Sequence, residues 1–314
     1  MREHRVQRAD GFRHEALFYE GEDEFDRAVT AFVREGLERD EPTLVVVAAA
    51  KLERLRDALG PDREGVWLRD MHEVGHNPAW IIPAWHDFVD AHGGSSLRGV
   101  GEPIGPERNG DTLAECHRHE ALLNLAFAGA ESFWLMCPYD TAALDPAVVA
   151  EAEANHAYVR RAGRSERSSR FGGLEAIAAP FDAPLPAPPS DAAELRFGSG
   201  PLGPLRAFVA ADASQAGLDE EATADLVLAS AEIAANSIAH GAGDGLLRMW
   251  ASDESVICEI SDSGTFDDPL AGRKLAAATE LSGRGLWTAN QLCDLVQIRS
   301  LPHGTVVRLH MARR

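Results

Sequence analysis

Short apolar runs alternate with longer amphipathic stretches in the first half of the chain. Residues 43–49 (TLVVVAA) form a continuous apolar run rich in valine, which is typical of a strand covered on both faces. Residues 22–39 place apolar side chains at helical spacing, which indicates a helix with one buried face. Because the two signals recur in turn up to about residue 160, we predict βα units, a mostly parallel sheet and helices on both of its faces. The predicted strands are 14–20, 43–49, 66–70, 98–104 and 132–140, and the predicted helices are 22–39, 50–59, 79–92, 111–128 and 146–160.

The last part of the chain groups its helix and strand signals differently. Two helical stretches follow one short strand, and a strand pair, a helix and a second strand pair come after them. Helices gathered on one face of a mixed sheet make an α+β sandwich, which is the fold class predicted here. The predicted strands are 194–198, 246–252, 255–264, 296–300 and 305–311, and the predicted helices are 201–215, 219–239 and 283–292.

A polar and proline-rich segment separates the two patterns. Residues 162–170 are polar and charged, and residues 179–190 contain five prolines in twelve positions, which favours an extended linker. We therefore predict an N-terminal domain over residues 1–160, a linker over 161–192 and a C-terminal domain over 193–314.

The charge and the cysteines narrow the class of protein. The net charge is −20, and both parts are acidic, with 33 acids and 20 bases up to residue 190 and 17 and 10 after it. This balance argues against non-specific binding to nucleic acid or to anionic membranes, both of which need a basic patch. The four cysteines form no C-x-x-C pair, and no apolar run approaches the roughly 18–20 residues that span a bilayer. We expect a reduced, cytoplasmic protein.

Two polar residues interrupt an apolar helix near residue 230. Glu232 and Asn236 are four residues apart in ASAEIAANSIAHG (229–241), so they share one helical face. A carboxamide oxygen suits Mg²⁺, which keeps few protein ligands beside phosphate oxygens, and a carboxylate can orient or deprotonate an attacking hydroxyl. Taken alone, the segment is better explained as a solvated face or a packing hydrogen bond.

Three later segments strengthen the interpretation as a nucleotide site. ISDSG (260–264) ends a strand with an Asp that can accept from the amine of adenine and a Gly that lets the backbone approach closely. SGRGLW (282–287) places two glycines at a helix start, where backbone N–H groups and the helix dipole favour phosphate. GTVVRL (304–309) opens a strand with a hydroxyl group. Each segment alone has an ordinary explanation as a turn, a cap or an edge strand.

The order of these segments resembles the GHKL ATP-binding fold, also called the Bergerat fold, over about residues 195–312. Histidine kinases, gyrase-type ATPases and anti-sigma serine kinases share this fold. The resemblance implies that ATP and Mg²⁺ bind here. Glu232 would be the catalytic base and Asn236 the Mg²⁺ ligand, and Asp262 would bind adenine with Gly264 beside it and Thr305 behind it.

The resemblance also implies groups for the phosphates. Gly283 and Gly285 would contact them, and residues 265–282 would form a lid over the nucleotide. Three basic residues of this region could meet the terminal phosphate, namely Arg273, Lys274 and Arg284.

Within this fold, the segment AEIAANSIAHG (231–241) is similar to anti-sigma regulatory factors of the RsbW type. A histidine kinase would carry a dimerisation helix pair upstream, and the Pro-rich linker occupies that place. The resemblance implies a serine/threonine kinase that binds a sigma factor and phosphorylates an antagonist protein, often as a homodimer. The alternative is an interaction protein that binds ATP and sequesters a partner without phosphotransfer.

The N-terminal domain resembles a different family. HEALFYE, RGVGEPI, ECHRHEALLNLAF and LMCPYD together are similar to the MEDS sensory domain of methanogen and methylotroph regulators, over about residues 14–158. The resemblance implies a RecA-like α/β fold that senses a small molecule, and no G-x-x-x-x-G-K-[ST] segment is present to grip phosphates. Candidate pocket residues at the predicted sheet edge are Glu102, His119, Glu120, Tyr139 and Asp140. The alternative is that these side chains are caps and packing groups.

One short segment carries the letters of a zinc protease motif. Residues 72–76 read HEVGH, but that motif needs both histidines on one helical face. Gly75 precedes the second histidine and Pro78 disfavours helical geometry at residue 77, so we expect a loop and an accidental match. His117 and His119 are two residues apart in a predicted helix and would face away from each other, so we expect no metal pair there.

Overall fold

The computed structural model describes residues 11–61, 64–108, 110–173, 183–265, 268–274 and 284–313. The chain divides into two compact units, residues 1–177 and 178–314. Within the described residues, no helix combines the length and the apolar character needed to cross a membrane.

The first unit contains a seven-stranded sheet in the order β3-β2-β4-β5-β1-β6-β7. Every neighbouring pair is parallel except β6 and β7, which form an antiparallel hairpin at one edge. The prediction of a mostly parallel sheet is therefore confirmed. The strands are β1 (Gly11–Tyr19), β2 (Thr43–Val47), β3 (Val66–Asp70), β4 (Leu97–Gly101), β5 (Ser132–Asp140), β6 (Tyr158–Arg161) and β7 (Arg164–Arg167).

Helices connect the parallel strands of this sheet. The central strands β2 and β4 are buried at every position, as the continuous apolar run of β2 predicts. The helix α1 buries Phe25, Val29 and Val33 against the sheet and exposes its charged face to solvent. The helices are α1 (Glu22–Leu37), α2 (Ala49–Leu59), α3 (Met71–Val74), α4 (Ile81–Ala91), α5 (Gly110–Ala126) and α6 (Pro146–Asn155), with one 3-10 turn at Pro78–Trp80.

The predicted helix 146–160 is wrong in its last third. The helix α6 ends at Asn155, His156 has an extended backbone, and the chain continues as strand β6 beside β1. Ala162 and Gly163 both have positive φ angles, which is the geometry of a two-residue hairpin turn into β7. All four residues of β7 are exposed, so this edge strand lacks the apolar alternation that would have revealed it in the sequence.

The second unit contains a five-stranded sheet in the order β11-β12-β10-β9-β8. All four neighbouring pairs are antiparallel, so the predicted mixed sheet is corrected to a fully antiparallel one. Short turns join β9 to β10 and β11 to β12, and such hairpins impose antiparallel pairing. The strands are β8 (Ala193–Gly198), β9 (Asp244–Ala251), β10 (Ser255–Asp262), β11 (Leu295–Leu301) and β12 (Gly304–Ala312).

In the described residues of this unit, three helices pack with the sheet, and their apolar side chains form one core with it. They are α7 (Gly203–Gln215), α8 (Glu220–His240) and α9 (Arg284–Leu292). The central helix α8 contacts both other helices as well as β9, β10 and β12. Asp219 caps α8 by accepting a hydrogen bond from the backbone N–H of Ala222 at 2.8 Å, and Leu226, Ala229 and Ile233 carry its buried face.

Candidate functional site

The helix α8 positions Glu232 and Asn236. Its core face includes Ala229 and Ile233, which are 0% and 2% exposed. Glu232 and Asn236 lie one turn apart on the same helix and are both half-buried. The two side chains therefore lie between the core and the surface of the domain, where a polar group is accessible to a ligand.

Beside Asn236, the second unit contains a cavity of about 310 Å³. Side chains from α8, α9, β11 and β12 supply its apolar walls, which are Ile233, Leu286, Ile298 and Val307. Four of the candidates named from the sequence line it, namely Asn236, Asp262, Gly264 and Thr305. The fold thus brings residues from positions 236 to 305 to one apolar pocket with a few polar groups, which is the usual composition of a small-molecule site.

Hydrogen bonds hold the end of β10 in a defined shape. The backbone N–H of Gly264 donates to Oδ1 of Asp262 at 2.8 Å, and the hydroxyl of Thr305 donates to the carbonyl of Gly264 at 2.9 Å. Asp262 and Thr305 are also direct partners in the β10–β12 register. The carboxylate of Asp262 therefore has a fixed orientation at the pocket, which an acceptor needs if it is to select one base.

Two glycines of the candidate site are required by close contacts. A Cβ at Gly264 would lie 2.7 Å from the Cα of Gly241, so the two backbones touch at the pocket wall. A Cβ at Gly285 would lie 2.7 Å from Nδ2 of Asn236, so the start of α9 rests against the carboxamide. Any larger residue at either position would displace part of the site.

The remaining candidates of this domain lie elsewhere or outside the described residues. Glu232 does not line the cavity, although it is one turn from Asn236. Arg273 is buried at 4% exposure and Arg284 is exposed at the first position of α9, and neither lines the cavity. Lys274 is exposed, and Gly283 lies outside the described residues.

Part of the predicted lid lies at the cavity. Residues 266–267 and 275–282 of the predicted lid are outside the described residues, whereas Asp268 and Ala271 line the cavity. The Nδ2 of Asn290 on α9 donates to the carbonyl of Gly272 at 2.8 Å. This hydrogen bond holds the described part of the segment against α9.

Several residues of the cavity were missed by the sequence analysis. Ser237 and His240 continue α8 past Asn236 and Gly241 follows its end, and Ile298 and Val307 are direct partners across β11 and β12. The period-two apolar pattern of these strands marks which side chains face the helices, so it contained a signal for the last two. Ile233 and Leu286 were also missed, whereas Thr265, Asp268 and Ala271 belong to the predicted lid.

The five candidates of the N-terminal domain separate into different places. Glu102 follows β4 and forms an ion pair with Lys51 at 2.6 Å, and the Tyr19 hydroxyl donates to it at 2.7 Å. Burial raises the pKa of Glu102, and the neighbouring Lys51 ammonium opposes that rise. Asp140 accepts from the backbone N–H of Ala142 at 3.0 Å, which is the capping role of the alternative interpretation.

Glu120 lies in a second group, on the buried side of α5. Its Oε2 is 3.2 Å from Nε2 of His14 and 3.2 Å from Nε2 of His156. Burial and His156 lower the pKa of His14 to about 4. Burial favours a neutral Glu120, but the neighbouring imidazoles of His14 and His156 outweigh burial, so the pKa of Glu120 is well below its usual value. The sequence analysis did not name His14 or His156.

Tyr139 lies beside this second group, with its ring centroid 5.7 Å from that of His156. Burial raises its pKa well above the usual value, and Glu120 adds to the rise. The remaining candidate, His119, is buried in α5 at 1% exposure.

The HEVGH segment consists of one helical turn and the loop that follows it. The predicted loop contains a single helical turn, α3, which ends at Val74, and Asp70 caps it by accepting from the N–H of His72. The rings of His72 and His76 are 6.2 Å apart and both residues are exposed. Among the described residues, the one group with three or more convergent metal-binding side chains lies elsewhere.

Two family models match the chain, one for each unit. The model described as the methanogen/methylotroph DcmR sensory domain, MEDS, matches residues 13–157. The model described as the histidine kinase-like ATPase domain matches residues 200–311. No curated protein matches the chain. The chain therefore carries an N-terminal MEDS domain and a C-terminal ATPase domain of the histidine kinase-like, or GHKL, class, and the cavity lies inside the second of these.

Proposed function

We propose that the C-terminal domain binds Mg·ATP in the cavity beside Asn236. The observation that supports this proposal most directly is the convergence of Asn236, Asp262, Gly264 and Thr305 on one cavity within residues 200–311. These four residues belong to three segments that are far apart in the sequence. A shared cavity is what a nucleotide site would require of them.

The residues present fit the chemistry of the nucleotide. Ile233, Ile298 and Val307 offer apolar surface to a purine, and the oriented carboxylate of Asp262 can accept from its exocyclic amine. The carboxamide oxygen of Asn236 is a neutral hard ligand of the kind that Mg²⁺ accepts beside phosphate oxygens. The start of α9 lies next to Asn236 and offers backbone N–H groups to phosphate.

The activity that we propose is that of an anti-sigma factor with serine/threonine kinase activity. Bound Mg·ATP supplies a transferable phosphoryl group. Glu232 would accept the proton of the attacking Ser or Thr hydroxyl of an antagonist protein, a role that typically contributes about 10²–10⁴-fold. The sigma factor and the antagonist are the proposed partners, and the MEDS domain would regulate the activity by binding a small molecule.

A specific observation favours a second candidate function. Glu232 is one turn from Asn236 but is not among the residues that line the cavity. A domain that binds ATP without a base in position would sequester its partner in a nucleotide-dependent way and transfer no phosphate. This second function uses the same ATP site as the proposed kinase and differs from it only in lacking phosphoryl transfer.

Calorimetric titration with Mg·ATP tests the binding site. Asp262→Asn keeps an Oδ1 acceptor for the N–H of Gly264 and replaces the other carboxylate oxygen by a donor, so the loop should be retained. We expect this variant to bind ATP roughly 10-fold or more weakly, because a hydrogen bond to a charged group contributes about 1.5–3 kcal/mol. It should also discriminate less against inosine triphosphate, whose base carries an acceptor in place of the amine. Absence of wild-type binding at millimolar Mg·ATP would contradict the proposed site.

Transfer of the γ-phosphate separates the two candidate functions. The wild-type chain and Glu232→Gln are incubated with γ-labelled ATP and an extract of the source cells, and label on Ser and Thr is measured. If the chain is a kinase, the wild type labels a protein and the variant does not, while both bind Mg·ATP equally well. Equal binding with no labelling by the wild type would instead support the sequestering protein.

A further inference from the structure

Four buried side chains of the MEDS domain converge on one point. They are His14 of β1, Glu120 of α5, Cys137 of β5 and His156, which follows α6, and we call them the donor cluster. One ligand atom from each lies within 4.8 Å of every other, and none of the four residues is more than 2% exposed. Four separate elements therefore contribute one potential metal ligand each.

The hydrogen bonds of Asn124 determine which nitrogen of His14 carries its proton. Nδ2 of Asn124 donates to backbone carbonyls, with the carbonyl of Asn155 at 2.9 Å and that of Ala121 at 3.2 Å. Its Oδ1 must therefore face Nδ1 of His14, 3.3 Å away. Because this amide oxygen can only accept, Nδ1 of His14 is the donor, and Nε2 of the neutral ring presents a lone pair to the donor cluster.

The same reasoning applies to His156. Its Nδ1 is 2.8 Å from the carbonyl of Ala152, which can only accept, so Nδ1 carries a proton, and Nε2 of the neutral ring presents a lone pair. Both imidazoles thus donate outward to an oxygen and face inward with an acceptor. This outward N–H···O contact is what metal-binding histidines make in proteins, because it sets the tautomer and the ring orientation.

The inward-facing atoms contact one another, and the two Nε2 atoms of the neutral rings and Oε2 of Glu120 are acceptors, whereas the thiol of Cys137 can also donate. Oε2 of Glu120 is 3.2 Å from each of the two Nε2 atoms, and Sγ of Cys137 is 3.4 Å from Nε2 of His14. Lone pairs that face a carboxylate in a buried site need a cation between them. Bonds of about 2.0–2.3 Å from Zn²⁺ to N, O and S place neighbouring ligand atoms of a tetrahedron about 3.3–3.7 Å apart, close to these three distances.

We propose that the donor cluster is a binding site for a divalent transition-metal ion, with Zn²⁺ as the ion that fits it best. Two imidazoles, one carboxylate and one thiolate form a mixed N/O/S set, which suits Zn²⁺ and disfavours Mg²⁺ or Ca²⁺. The charges also balance, because one thiolate and one carboxylate neutralise a divalent ion and leave no net charge in the buried site. The site is independent of the proposed ATP function and lies in the other domain.

The experiment measures zinc in the full-length chain. Because the cluster is buried, the protein is produced with zinc in the medium, purified, and its metal content and its zinc affinity by chelator competition are measured. We expect about one zinc per chain in the wild type. Cys137→Ser and His156→Gln each remove one ligand and should weaken zinc binding by more than the 10–100-fold that outer partners of metal ligands typically contribute.

Matched controls show whether the zinc lies in the cluster. Cys116→Ser changes another buried cysteine of the same domain, and His72→Gln changes a histidine of the HEVGH segment. Both controls should keep the wild-type zinc affinity. Circular dichroism shows whether each variant is folded, so that loss of zinc is scored only in folded protein.

Cobalt substitution keeps the proposal testable if Cys137→Ser does not fold. The chain has four cysteines, so a variant with Cys116, Cys258 and Cys293 changed to Ser retains only Cys137. With Co²⁺ bound, this variant should keep the thiolate-to-metal charge-transfer band and the intense visible bands of tetrahedral cobalt. Three results would each overturn the proposal. They are a folded wild type without stoichiometric zinc, loss of zinc in either control variant, and bound cobalt without a charge-transfer band. Absence of metal would mean that a proton, and not a metal ion, lies between Glu120 and the two imidazoles.

Discussion

The contact between α9 and α8 allows a sharp test of the nucleotide site through Gly285→Ala. The added Cβ would lie 2.7 Å from Nδ2 and 3.3 Å from Oδ1 of Asn236, whereas ordinary contacts begin at 3.4 Å. The carboxamide must therefore move by about 0.7 Å, which is the difference between 3.4 and 2.7 Å. The clash involves the end of a side chain rather than the backbone, so the fold can accommodate it.

A shift of this size should matter far more to ligand binding than to stability. Alanine is favoured over glycine in a helix by up to about 1 kcal/mol, so the free energy of unfolding should stay within about 1 kcal/mol of wild type. Mg²⁺ accepts little distortion of its ligands. Because misplacement by about 1 Å can cost about 10²-fold in a positioned site, we expect Mg·ATP affinity to fall by roughly 10- to 100-fold.

The assay is calorimetric titration with Mg·ATP, paired with thermal unfolding of the same samples. Gly203→Ala is the matched control, because Gly203 opens α7 of the same domain and its added Cβ would meet no atom within 4 Å. The control should bind as the wild type does. Unchanged affinity in a stable Gly285→Ala variant would refute the reasoning, since the position of Asn236 would then be irrelevant to the nucleotide.

Two further predictions concern stability and thiol reactivity. Glu102→Gln leaves the ammonium of Lys51 without its carboxylate, so the free energy of unfolding measured in urea should fall by about 1–3 kcal/mol. Glu22→Gln, at an exposed ion pair with Arg54, should lower it by less than about 1 kcal/mol. Equal losses in the two variants would contradict the burial of Glu102. Burial raises the pKa of Cys258 to about 12, so at pH 8 its thiolate is roughly 10³-fold scarcer than in the unfolded chain. Alkylation followed by peptide mass spectrometry should find Cys258 unmodified in the native protein, and rapid modification would contradict this.

The secondary structure was largely readable from the sequence where one signal dominated. Strands 66–70 and 132–140 were predicted with the observed bounds, and α8 was predicted to within one residue at each end. A strand that is buried on both faces requires a continuous apolar run, and a helix with one buried face requires apolar residues three and four positions apart. Both patterns can be recognised in a short stretch of sequence. The hairpin strand β7 left none, because its side chains are all exposed.

The candidate nucleotide site was partly readable for a related reason. Asn236, Asp262, Gly264 and Thr305 each belong to a local segment with its own chemical pattern, and the structure gathers them at one cavity. The apolar walls were less specific, because the period-two pattern of β11 and β12 marks Ile298 and Val307 as core-facing but only the folded sheet shows that they meet at the cavity. Hairpin turns account for two of the antiparallel pairs, whereas the pairing of β10 with β12 and of β8 with β9 was decided by how distant strands meet.

The sequence by itself determined most of the strands and helices, because local periodicity acts over a few residues, but it did not reveal β6 and β7. It also contained the short segments on which the proposed nucleotide site rests. Only the tertiary structure decided the donor cluster, whose members run from His14 to His156 along the chain. No spacing rule connects positions so far apart, since β1, α5, β5 and the end of α6 meet only when the parallel sheet and its helices pack together. The convergence of acceptors on one buried point is therefore a property of the fold.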